Sequence, residues 1–144
     1  EKNKKFDFNT YIKVFDVNFF GTLSLILEFN KFYNHANNII INLSSDLSKK
    51  GSYNYPAYSA SKSAMDNITK SFAKIYNNNF FSILLGKVLT KKNEKLIKSN
   101  YQLNLLIRIN KIINLLESII TQKKKYKNGA NLYIENQKSK IKII

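Results

Sequence analysis

The chain has 144 residues, 44% of them hydrophobic and 13% aromatic, which suits one domain with a buried core and excludes a disordered composition. Its 24 basic and 9 acidic side chains give a formal net charge of +15. Cysteine is absent, which excludes disulfides and thiolate metal sites and fits a reducing compartment.

The first predicted element covers 8–32. Phe8, Tyr11, Ile12, Phe15, Phe19, Leu23 and Ile26 recur at every third or fourth position, the spacing of an amphipathic helix. Inside it "FFGTLSLILEF" (19–29) is the longest nearly apolar run, too short and too polar to span a bilayer. The opening "EKNKKF" leads into nothing resembling a signal peptide. A cytoplasmic protein with no membrane partner is expected. Residue 1 is Glu rather than Met, which marks the chain as a candidate piece of a longer protein.

"NNIIINL" (37–43) is β-branched and too brief for a helix, so it reads as a strand buried on both faces. "SSDLSKKGSYNYP" (44–56) is loop by its Ser, Gly and Pro content. A second helix is predicted over 57–76, with Ala64, Ile68, Phe72 and Ile75 on its inner face. "NFFSILL" (79–85) is a second strand, stopped by Gly86, and a lysine-rich polar stretch runs on to about 102. Leu105, Leu106, Ile109, Ile112, Ile113, Leu116 and Ile119 form the clearest helical stripe in the chain. After a turn at Asn128-Gly129, "ANLYIE" (130–135) reads as a third strand.

Helices alternating with strands imply right-handed crossovers and a parallel sheet with helices on both faces, an α/β doubly wound arrangement. Ligands of such sheets bind beyond the carboxyl ends of the strands. Here that edge comprises Ser44 and Ser45 after the first strand and the segment from Gly86 after the second.

The basic balance raises nucleic-acid binding, but the lysines are spread along the whole chain and Arg108 is the only arginine. Base readout and bidentate phosphate recognition favour arginine. Asn, Ile and Lys share A/T-rich codons, so a solvated lysine surface from compositional bias is the simpler reading, and no nucleic-acid partner is expected. "KKKYK" (123–127) is the best local basic patch. His35, the one histidine, reads as a surface or capping residue.

"YPAYSASKSAMDNITK" (55–70) sets Tyr58 four residues before Lys62 in the first turns of a helix. Chance alone supplies about one Tyr-x-x-x-Lys in a chain this rich in both residues, so the surroundings decide. On a helix the two side chains sit about 40° apart and one turn apart. An ammonium beside a phenol favours the phenolate, and a tyrosine so tuned can act as general acid or base. Thirteen residues before Tyr58 stands Ser45, and forty before it stands Asn18. Alone, Ser45 reads as a loop-capping hydroxyl, Asn18 as a polar helix-face residue and Gly86 as a strand-exit turn.

Together, "DVNFFG", "INLSS", "YSASK", "LGKVLT" and the closing "NGANLYIENQ" resemble, in order, motifs of the compact short-chain dehydrogenase/reductase family. The resemblance implies a partial Rossmann-like sheet, its last three strands with flanking helices, and residues 1–144 as one incomplete domain. It implies NAD or NADP as cofactor and a small carbonyl or alcohol as substrate, interconverted by hydride transfer. Tyr58 would be the acid/base, Lys62 would lower its pKa and bond the nicotinamide ribose, Ser45 would hold the substrate oxygen, and Asn18 would position a relay water. Gly86, Val88 and Thr90 would border the nicotinamide, and no metal is implied. Homo-dimers or homo-tetramers through helices 8–32 and 57–76 are implied for the full-length form.

Three features depart from the family pattern. Glycines stand only at 21, 51, 86 and 129, so no "T-G-x-x-x-G-x-G" phosphate loop can form. Leu85 replaces a proline before Gly86, and Asn136-Gln137 replace a Gly-Gly pair. The isolated chain is therefore expected to be poorly soluble and inactive, with one strand edge open. The alternative function is an inactive remnant or pseudoenzyme that serves only as a binding or assembly partner.

Overall fold

A computed structural model describes residues 7–91, 100–122 and 125–144. Residues 92–99, inside the lysine-rich segment expected to border a substrate pocket, and the first two lysines of the 123–127 run lie outside them.

Asp7 starts helix α1 (Phe8–Phe15) by accepting the Thr10 backbone N–H at 3.1 Å. The single helix expected over 8–32 is interrupted: Asp16–Gly21 takes a π-helical turn, and regular winding resumes in α2 (Thr22–Phe32). Of the expected stripe, Ile26 is buried and Phe19 and Leu23 pack around it, while Phe8 is 76% exposed and Ile12 also faces out. α1 packs against the later long helix, Pro56–Ile75.

Strand β1 (Ile39–Ser45) extends two residues into the predicted loop, because Ser44 and Ser45 continue the pairing with the next strand. A short helix α3 (Leu47–Lys50) follows, then α4 (Pro56–Ile75). Proline at the first helical position has no N–H to lose and its φ is preset for the helix. The inner face of α4 is Met65, Thr69 and Phe72, with Ala57 and Ser61 nearer its start. Ile75, expected inside, is 67% exposed, because the helix ends there as the chain turns to enter the sheet.

β2 (Asn79–Leu85) pairs in parallel with β1 from Ile39↔Asn79 to Ser45↔Leu85. A short α5 (Asn100–Asn104) precedes α6 (Ile109–Thr121), so the predicted 105–119 stripe is not one helix. Leu106 is buried in a bend before α6, and Ile107, also buried, forms a parallel bridge with Val88. β3 (Asn131–Ile134) pairs in parallel with β2. The fourth strand, β4 (Lys142–Ile143), is antiparallel to β3 and is an addition to the three expected. The sheet order is β1-β2-β3-β4.

Two cores flank the sheet. On one side Phe81, Ile83, Leu132 and Ile134 pack with Leu115 and Ile119 of α6 and with Ile107. On the other, Phe80 packs with Ile26, Met65 and Phe72. Toward the carboxyl ends of the strands this second face turns polar, and the candidate site lies at that end of the sheet.

Candidate functional site

Pro56 fixes where α4 begins, and so puts Tyr58 in the first turn with Lys62 one turn further on. The Lys62 ammonium lies 5.8 Å from the centre of the Tyr58 ring and donates a hydrogen bond to the Leu43 carbonyl at 2.9 Å. Both side chains are half-buried. Burial is the main influence on Lys62 and pushes its ammonium below its ordinary value of 10.5; Asp66, one further turn along α4, pulls the other way.

Ser45 closes β1 opposite Leu85. Its hydroxyl accepts the Leu47 N–H at 3.2 Å and lies 3.4 Å from an Asp46 carboxylate oxygen. Asp46 in turn pairs with Lys50 at 3.1 Å. Ser59 donates to the Leu47 carbonyl at 2.9 Å, which ties α3 to α4 next to Tyr58. The turn that carries Ser45 is thereby held against the helix that carries the Tyr–Lys pair.

Asn18 sits in the π turn, and its amide donates to the Ser61 hydroxyl at 3.2 Å. Ser61 donates in turn to the Tyr58 carbonyl at 2.8 Å. Asn18 therefore docks on α4 between the positions of Tyr58 and Lys62, and its amide meets Ser61 rather than the ammonium.

Gly86 leaves β2 with its N–H on the Ile134 carbonyl. A Cβ there would lie 2.1 Å from the Glu135 carbonyl oxygen, so the close approach of β3 already requires glycine at this position. Val88 is held by the bridge to Ile107, through the Lys87 carbonyl and the Leu89 N–H. Thr90 follows two residues later and is exposed.

The motif reading passes over Ser59, Ser61 and Asp46, which tie the site together. Single serines and an acid in a serine-rich chain give no pattern to read; only the register of β1 against α3 and α4 makes them neighbours. The chemistry of the donor set suits the nicotinamide end of a dinucleotide: an ammonium with protons to spare, a phenol one turn away and a backbone segment leaving β2. The pyrophosphate end finds no match, since the four glycines stand far apart in the sequence. Among the described residues no group of three or more His, Asp or Glu side chains could hold a metal. No helix among them is long and apolar enough to cross a membrane.

The family described as short chain dehydrogenase matches over residues 1–100. No curated protein matches. Among solved structures, 4-hydroxyisoleucine dehydrogenase complexed with NADH is 27% identical with a TM-score of 0.72, over 92% of this chain and 61% of that one. A mutant of 4-hydroxyisoleucine dehydrogenase complexed with NADH and succinate is 24% identical with a TM-score of 0.74, over 92% and 60%. A short-chain glucose/ribitol dehydrogenase from Brucella melitensis is 17% identical with a TM-score of 0.75, over 89% and 56%. The last two show likeness of fold. The chain thus spans only 60% and 61% of the length of the two 4-hydroxyisoleucine dehydrogenase chains.

Proposed function

Because the chain belongs to the short-chain dehydrogenase/reductase family, we propose that it is the catalytic portion of an NAD(P)(H)-dependent oxidoreductase that interconverts a small carbonyl and an alcohol. The observation that carries this reading is the Lys62 ammonium beside the Tyr58 ring at 5.8 Å, held at the carboxyl end of β1 by the Leu43 carbonyl.

NAD or NADP supplies or accepts the hydride when bound. Tyr58 gives its phenolic proton to the substrate oxygen during reduction and takes it back during oxidation. Lys62 would hold the nicotinamide ribose, with Tyr58 beside it. The backbone from Gly86 through Val88 to Thr90 would border the nicotinamide. Ser45 donates to the substrate oxygen and stabilises the charge that develops on it. To do so its hydroxyl must turn away from Asp46, 3.4 Å away. Asn18, docked on Ser61, would position the water that passes protons to Lys62. A cytoplasmic setting, with homo-dimers or homo-tetramers of the full-length form assembled through the helical segments 8–32 and 57–76, belongs to the same proposal. Exposed Val17, Leu25 and Phe32 support it as apolar surface available for assembly.

The test uses the longest protein that contains residues 1–144, assayed for NAD(P)H oxidation against a panel of carbonyl compounds. Tyr58→Phe is expected to lower kcat by about 10²–10⁴ while the melting temperature holds. Unchanged turnover in that variant would overturn the proposal. A second reading, an inactive remnant or pseudoenzyme, is favoured by the glycine spacing, which leaves the 144 residues without a phosphate loop. DNA upstream of the Glu1 codon decides between them: an in-frame strand and glycine-rich turn supports the enzyme, and an immediate stop supports the remnant.

A further inference from the structure

Asn128-Gly129, the turn before β3, is the only Asn-Gly pair in the chain. Asparagine is thermolabile, and most so before glycine, which has no side chain to keep its backbone nitrogen away from the amide carbon. In the reaction the Gly129 nitrogen attacks Asn128 Cγ. A nitrogen–Cγ bond forms, the Cγ–Nδ2 bond breaks, and ammonia leaves with the proton of the Gly129 N–H. Water then opens the five-membered succinimide. Cleavage of the new nitrogen–Cγ bond gives aspartate. Cleavage between the nitrogen and the main-chain carbonyl carbon of Asn128 gives isoaspartate, whose backbone runs through Cγ and is one carbon longer.

The fold ties down each group that this chemistry needs. The Gly129 N–H donates to the Phe80 carbonyl at 2.8 Å, and Asn128 Oδ1 accepts the Phe80 N–H at 2.7 Å. Asn128 Nδ2 donates to the carbonyls of Ala73 and Asn78, each at 3.3 Å. Gly129 has a φ of +84°, and a Cβ there would lie 3.0 Å from that of Ala73, so glycine cannot be exchanged for a slower neighbour without strain. The pair serves β2 as a strand residue would. It satisfies both polar groups of Phe80, and the Ser82 N–H then takes up regular pairing on the Ala130 carbonyl at 3.1 Å. While these bonds hold, the nucleophile keeps its proton and the amide carbon stays out of its reach.

We propose that Asn128-Gly129 is a deamidation site that the folded state holds closed, so that each excursion through the open chain converts part of the population to isoaspartate and removes it from folding. The two products differ in what the place accepts. Lys70, Lys74 and Lys127 line the same recess as Asn128. An aspartate at 128 therefore keeps the bond to Phe80 and meets positive charge in exchange for the two longer bonds. An isoaspartate puts one more carbon between the Phe80 cap and Ala130. The four residues of β3 are all buried, and they cannot keep both their register on β2 and that cap. The turn lies at the amino ends of the strands, away from Tyr58, and the proposal stands whether or not the oxidoreductase reading holds.

The experiment incubates the longest protein that contains residues 1–144 in mildly alkaline buffer, with and without denaturing urea. Peptide mass spectrometry maps the products, with isoaspartate separated from aspartate by retention time. In urea Asn128 should react faster than the other asparagines, and in the folded protein it should react about tenfold or more slowly than in urea. Protection of the Gly129 amide in hydrogen exchange sets a floor for that slowing, because both events need the same N–H released. After urea is removed, isoaspartate should collect in the fraction that fails to refold, whereas Asn128→Asp should refold and melt close to the parent. Equal rates in the two buffers, an unprotected Gly129 amide, or isoaspartate spread evenly between refolded and unfolded fractions would overturn the proposal. The rate comparison needs no substitution, so it decides the matter even if Asn128→Asp fails to fold. That failure would itself overturn the statement that the lysine-lined recess accepts a carboxylate.

Discussion

The two faces of the sheet are built from the same strands and do different work. Against α6, the side chains of β2 and β3 are Phe81, Ile83, Leu132 and Ile134, closed by Leu115 and Ile119. Against α4, the alternate residues are Ser82, Leu84, Asn131 and Tyr133, beside Asn42 and Ser44 of β1, and Asn42 and Ser82 among them are held by side-chain hydrogen bonds. Asn42 donates to Thr69 at 2.8 Å, and Asp66 gathers Ser48 and Ser82. Apolar packing is tolerant of direction and supplies most of the stability. A hydrogen-bonded network is directional, and fixes how far α4 lies along the sheet and so where Tyr58 and Lys62 stand. Stability and positioning are thus assigned to opposite sides of one layer.

The strongest challenge to that division is Phe81→Ala, which should cost about 3–5 kcal/mol of folding stability in urea titrations. A cost below about 1 kcal/mol would mean that the α6 face is not the main core. Next is Asp66→Ala, which strands the hydroxyls of Ser48 and Ser82. It should cost about 2 kcal/mol and broaden the NMR signals of α3 and the start of α4 more than those of α6. Uniform broadening would argue that the two faces are one cooperative unit. The smallest effect concerns pH. Lys62 is held below its ordinary 10.5, so the unfolded chain binds this proton more readily than the folded one. Its contribution to stability therefore rises with pH across the window between the lowered value and 10.5. Lys62→Met should lose that rise, so the difference in urea midpoints between the parent chain and the variant should change with pH across the window, and a constant difference would show that the Leu43 carbonyl fully offsets burial.

Much of this layout is legible in the sequence. Short apolar runs bounded by Gly, Asn and Ser mark β1, β2 and β3, and Tyr58, Lys62, Ser45 and Asn18 are readable from motif order. Their mutual contacts are not. Ser45 meets Asp46 and Leu47 because β1 runs two residues past its apolar stretch, a matter of pairing with Leu84 and Leu85 rather than of composition. Leu106 satisfies a helical period yet is buried in a bend before α6, beside Ile107, which the bridge to Val88 holds. β4 is a two-residue pairing that no period can announce. Lys111 illustrates the same limit: in the sequence it is one lysine among many. In the fold its ammonium gathers the Asn136, Gln137 and Ser139 carbonyls and pins the turn before β4 to α6.

The π turn at Asp16–Gly21 has a consequence in the arithmetic of insertion and deletion. A π turn holds one residue more than the α turn it replaces. Removing a single residue between 16 and 21 would therefore let α1 and α2 fuse into one regular helix with the faces on either side still in phase. Only the turn itself would be reshaped, and Asn18, which meets Ser61 from that turn, is the residue that would lose its contact. A single deletion within α1 or α2 would instead swing everything on one side of the cut by about 100° around the axis. The segment thus holds a spare residue: it is where this helix can lose length without turning its faces.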